Sequence, residues 1–160
     1  MELVNLELLL ITLAISNMDH LAIMKNNGFI EKIISGEKTI ESRWYKSQKT
    51  PYDIVEIDDQ IYFKLSGKDV TLTSKVTKVI QFDELNEKKI KGILNTYGKD
   101  IGIEKANINN FYLSIKDKKY CVLMFLTPVK QVTPFAINKK GFGNMSAWIS
   151  VKNINEIILS

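Results

Sequence analysis

The clearest periodicity in the chain lies over residues 70–82. Val70, Leu72, Val76 and Ile80 recur on one side, and Thr71, Thr73, Lys75 and Thr77 on the other. A period of two with one apolar side predicts a strand with one buried face. Gln60–Leu65 precedes it across the turn Ser66-Gly67-Lys68, and the two runs together predict a hairpin. Tyr120–Val129 is the most apolar strand-like run and belongs in the centre of a sheet, with Pro128 marking its exit. His20–Met24 and Thr39–Tyr45 read as further short strands, and Val132–Ile137 as another.

Helical spacing occurs in fewer places. Phe29, Ile30, Ile33 and Ile34 form one apolar face of a short helix, with Gly36 as its left-handed stop. Leu85, Ile90, Ile93, Leu94 and Tyr97 recur at helical spacing up to Gly98, with Asp83 read as the cap. Residues 100–113 contain a second short helix on this reading. Lys46–Glu56 is a polar loop holding Pro51 and no glycine, so a long connection is expected there instead of a tight hairpin. Lys139–Ala147 is a loop that delivers Trp148, and Ile154–Leu159 closes the chain as a short strand or helix. Many short strands with few helices predict an α+β fold: a small, mixed, mostly antiparallel β-barrel.

One octapeptide departs from this alternation of core and turn. Residues 36–43 read Gly-Glu-Lys-Thr-Ile-Glu-Ser-Arg, so Lys38, Glu41 and Arg43 place three charges at the entry to a strand. Strand alternation puts Glu41 and Arg43 on one face, with Ile40, Ser42 and Trp44 on the other. If that face lines a cleft, the charges must pair with one another or with a polar ligand, because unpaired buried charge is costly.

Composition narrows the chemistry. The 160 residues fit one domain, with 45% hydrophobic and 25% charged residues, as in an ordinary soluble protein. The net charge of +4 permits an anionic partner without demanding one. Arg43 is the only arginine among 22 basic residues, so a bidentate grip on phosphate or carboxylate is available at one position only. Cys121 and His20 are the only residues of their kinds. An internal disulfide and a Cys/His metal cluster are therefore excluded, no cofactor is implied, and a cytoplasmic protein is the natural inference. Cys121 lies in an apolar run and reads as a buried thiol, and His20 reads as a structural residue. Residues 7–15 are strongly apolar but too short to span a bilayer, and no Lys or Arg precedes them as in a signal peptide. Residues 1–17 are read as an appended segment or a mis-called start, and residues 18–160 as the domain.

The pattern Gly36-x-Lys38-x-x-Glu41-x-Arg43, just after a short helix, resembles the signature of the ASCH domain family within the PUA-like superfamily. Ile57-Asp58-Asp59-Gln60-Ile61-Tyr62-Phe63 is similar to the glycine-aspartate-strand step that follows it in that family, with Asp58 in place of the usual glycine. The segment Pro134–Gly143 with Trp148 looks like the ending of one ASCH subgroup, and the likeness spans residues 18–158.

The resemblance implies a PUA-like barrel with a cleft beside the motif, and RNA or a nucleotide-like small molecule as partner. Some members are acetylcytidine amidohydrolases, and one kind is reported as a ribonuclease. In the amidohydrolases the matching lysine works with a threonine three residues later, where this chain has Glu41. A hydrolase nonetheless remains the alternative to a binding module, with Lys38 and Glu41 as its catalytic pair. Arg43 would then stabilise developing negative charge. A second carboxylate from the downstream helix, Glu84 or Glu87, is not assigned. For binding, Arg43 would hold phosphate or a base edge. Trp44 and Trp148 are candidates for stacking or for core packing, and Lys139 and Lys140 for phosphate contact or plain solvation.

Overall fold

The computed structural model describes residues 17–143 and 145–159. The apolar stretch 7–15, and the appended segment apart from Asn17, lie outside the described residues. The elements are β1 (Asp19–Met24), α1 (Phe29–Ser35), β2 (Ile40–Tyr45), β3 (Gln60–Leu65), β4 (Val70–Phe82), α2 (Glu87–Ile101), α3 (Ile108–Ile115), β5 (Tyr120–Leu126), β6 (Lys130–Phe135) and β7 (Trp148–Val151). Single 3-10 turns precede α3 and follow β7.

The fold is mixed α+β with a mostly antiparallel sheet in the order β2-β5-β4-β3-β1-β7, and β6 pairs with β4 beside it. β1 and β3 are the parallel pair. The crossover between them carries α1, β2 and the long loop around Pro51. No pairing joins β2 to β7 in this order, so the backbone does not close the barrel expected from the sequence. The ends of the sheet nevertheless come within reach of one side chain. Arg43 on β2 donates to the carbonyl of Ile23 on β1 at 3.5 Å and to that of Ala147, just before β7, at 3.2 Å.

The hairpin β3–β4 and the central position of β5 match the sequence reading. The single apolar face drawn along β4 does not. The first half of β4 lies between β3 and β6, its second half pairs with β5, and register shifts fall at Val70/Leu72 and at Val76/Lys78. An irregularity in a ladder re-aims the side chains beyond it. Leu72 and Val76 consequently face the inner core, Val70 joins a cluster with Leu21 and Ile149, and Ile80 packs towards α2 and α3.

α1 buries Ile30 and Ile33, but Ile34 is exposed, so its apolar face is narrower than expected. Gly36, at φ +83, ends it with an N–H bond to the Ile33 carbonyl. The cap of α2 is Asn86, whose side chain accepts from the Lys89 N–H at 2.8 Å, not Asp83. Leu85 is tucked into the core and its N–H bonds the Lys119 carbonyl, which delays the first helical turn beyond Asp83.

Candidate functional site

Lys38 occupies the step between α1 and β2, and its side chain turns inward to 2% exposure. Its Nζ donates to the Ile40 carbonyl at 2.6 Å and to the Ile101 carbonyl at 2.7 Å. The last carbonyls of a helix lack partners within the helix and carry its negative dipole end, so a cation there is favourable. Lys32 Nζ adds a second bond of this kind, to the Gly102 carbonyl at 2.8 Å. Gly102 is required by its φ of +99 and by close approach, since a Cβ there would lie 3.1 Å from Lys38 Cβ. Burial pushes the Lys38 ammonium below its ordinary pKa; Glu41 opposes the shift, and Arg43 and Lys32 add to it.

Glu41 and Arg43 share the inner face of β2, opposite Met124 and Val122 of β5, as strand alternation requires. Glu41 Oε1 lies 3.9 Å from Lys38 Nζ and 3.8 Å from Arg43 Nε, ion-pair distances beyond good hydrogen bonding. Oε1 accepts the Ser42 N–H at 3.0 Å. Oε2 is buried without a hydrogen-bond partner, and so is Arg43 Nε. A free acceptor and a free donor therefore stand on adjacent residues of one face. Arg43 also reaches Met24 Sδ at 3.4 Å, and its guanidinium carbon lies 5.1 Å from the Trp148 ring centre. Tyr45 continues the same face, and burial raises its phenol pKa.

Trp148 is 7% exposed and belongs to the inner core. Its indole N–H points at Ser150 Oγ, 3.1 Å away, and at His20 Nδ1, 3.3 Å away. His20 is fully buried and its Nε2 is 2.7 Å from Asp59 Oδ2. Asp59 also takes the backbone N–H groups of Met18 and Glu56, each at 2.9 Å. His20 is thus a satisfied structural group, as its sequence context suggests, while Asp59 and Ser150 carried no sequence signal as its partners.

The remaining candidates are placed apart from this cluster. Trp44 lies on the opposite face of β2, where its N–H bonds Ser42 Oγ at 3.0 Å and its ring meets Phe111 edge-on. Lys139 Nζ donates to the Ser146 carbonyl at 3.0 Å, within the loop that leads to Trp148, and Lys140 is exposed. Glu87 pairs with Lys91 at 2.7 Å at the far end of α2 from Lys38. At about 1.5 Å per residue, the helix separates Glu87 from Ile101 by roughly 20 Å.

Two hollows stand out elsewhere. One of about 1200 Å³ opens between α2 and α3 over Leu94, Ile103 and Ile108, with Lys91, Lys99 and Lys105 on its rim. A smaller one of about 330 Å³ lies beside Phe29 and Phe111. Neither is lined by Lys38, Glu41 or Arg43. Of the three charges only Arg43 nears the surface, its side chain 13% exposed against 4% for Glu41. Among the described residues no three His, Cys, Asp or Glu side chains gather as metal ligands, and no helix is long and apolar enough to cross a membrane. Cys121 is buried, and burial raises its thiol pKa.

The fold has solved counterparts. The crystal structure of ASCH from Zymomonas mobilis matches with a TM-score of 0.59 at 14% identity, over 83% of this chain and 87% of that one. A point variant of that protein matches with a TM-score of 0.60, at 14% identity over 83% and 89% of the two chains. A second variant gives 0.59 at 15% identity, over 85% and 89%. No family model and no curated protein matches the chain. The chain has the fold of these ASCH structures.

Proposed function

We propose that this domain binds RNA or a nucleotide-like ligand at the seam between β2 and β7, and that Glu41 and Arg43 read a polar edge of it. The observation that carries this reading is the unpartnered pair, Glu41 Oε2 and Arg43 Nε, on one face of β2. A buried acceptor and donor left open in a folded protein are costly, and a ligand offering a donor beside an acceptor relieves both. The Watson–Crick edges of nucleobases present such neighbouring groups. Trp148, beneath the Arg43 guanidinium, supplies an apolar wall, and the basic balance of the chain favours an anionic backbone. The ASCH-like fold supports the same reading. Lys139 and Lys140, on the loop before Trp148, would meet the strand beyond the recognised base.

Binding without turnover is the form that the geometry favours. Lys38 spends its donors on two backbone carbonyls, and Glu41 stands where the amidohydrolases of the resembling family use a threonine. Filter binding of single-stranded RNA at low and at high salt tests the reading. Retention at low salt that falls steeply with added salt supports it, and no retention at low salt rejects it.

A further inference from the structure

A continuous polar line of side chains runs behind Trp148. An indole N–H can only donate, and an ionised carboxylate can only accept. Trp148 stands at one end of the line and Asp59 at the other. Trp148 Nε1–H donates to Ser150 Oγ, Ser150 Oγ lies 2.7 Å from His20 Nδ1, and His20 Nε2 lies 2.7 Å from Asp59 Oδ2. The indole makes a second contact, with His20 Nδ1 at 3.3 Å.

The backbone builds this line deliberately close. His20 and Ser150 are directly opposed in the antiparallel pairing of β1 with β7, so their side chains share a face. Asp59, just ahead of β3, is anchored by the N–H groups of Met18 and Glu56. His20 and Asp59 are almost wholly buried, and only Ser150, at the end nearest Trp148, is part-exposed. The face of the indole meets Arg43, and the residue before it, Ala147, accepts from the same guanidinium. Turning the indole would break its N–H bonds and strip the wall from Arg43 together.

We propose that the Asp59–His20–Ser150 line positions Trp148 as the wall of the Arg43 site, so that these three are positioning residues for ligand binding. The inference rests on the functional reading above for its consequence, and on the geometry alone for the placement of Trp148.

The test separates the two. In a Trp44→Phe background Trp148 is the sole indole, and its emission maximum and acrylamide quenching report its placement. Ser150→Ala is expected to shift the emission to the red and to raise quenching, and Ser150→Thr, which restores the hydroxyl, is expected to return both towards wild type. Thermal midpoints measured alongside show whether stability alone has changed. On otherwise unmodified protein, Ser150→Ala is expected to weaken binding of a short single-stranded RNA by about tenfold, and Ser150→Thr to recover it. Unchanged emission and quenching in Ser150→Ala overturn the proposal whether or not RNA binds. Altered emission with unaltered RNA affinity overturns the positioning role in binding. Wild-type protein that fails to bind RNA rejects the functional reading, and the emission comparison still decides the placement of Trp148. The serine pair avoids the fully buried His20, whose replacement can unfold the chain.

Discussion

Replacing Lys38 by methionine isolates the role of the buried ammonium. Methionine keeps most of the stem packed against Phe29 and Gly102 but removes both donors, leaving the Ile40 and Ile101 carbonyls without their partner. A buried acceptor left unsatisfied costs about 1–3 kcal/mol, so two give about 2–6 kcal/mol. Relief from burying a charge opposes this, with an effective penalty of several kcal/mol per ion. The net expectation near neutral pH is a loss of about 2 kcal/mol, measured as a drop in denaturant midpoint at unchanged slope.

The opposing part depends on pH. Burial lowers the Lys38 pKa in the folded state, so between that value and about 10.5 the unfolded chain binds more protons and stability rises with pH. A neutral amine retains two N–H groups, enough for both carbonyls. The gap between wild type and Lys38→Met should therefore widen as pH is raised from about 7 to about 10, and other titrating groups cancel in the difference. A gap that narrows with rising pH, or a variant as stable as wild type at every pH, refutes this account of Lys38.

Three further outcomes are expected. Asn86→Ala removes the side-chain cap of α2 and should cost about 1 kcal/mol in urea unfolding. Asp58 sits at φ +75, so Asp58→Gly should raise stability by up to about 1 kcal/mol, read as a higher midpoint. Acetylated cytidine incubated with the protein should be recovered intact by chromatography; its conversion to cytidine, abolished by Lys38→Ala, would establish the hydrolase reading instead.

What the sequence discloses about this molecule follows the range of the interactions involved. The hairpin β3–β4 and the shared face of Glu41 and Arg43 were legible because period-two alternation is local. Asp58 stands at φ +75, a backbone conformation that glycine adopts without strain and that the local sequence does not disclose. The contact of Lys38 with Ile101 joins residues 63 apart, and that of His20 with Ser150 joins residues 130 apart. Such pairings depend on strand order and register, which periodicity does not specify. The same limit hid the two shifts in β4, since a bulge leaves the composition of a strand unchanged. Alternation already set Trp44 on the face opposite Glu41, where it meets Phe111, whereas nothing local disclosed that Trp148 would lie beneath Arg43.

The solitary arginine offers a direct test of the central claim. Because the chain contains only Arg43, a nitrogen-15 correlation spectrum has a single arginine Nε–H resonance to follow. Titration with single-stranded RNA or a mononucleotide should shift that resonance and slow its exchange with water, and Glu41→Gln should weaken the ligand by about tenfold or more. A ligand that binds while the resonance stays in place, with equal affinity in the Glu41 variant, would contradict the assignment of Glu41 and Arg43 as the recognition pair.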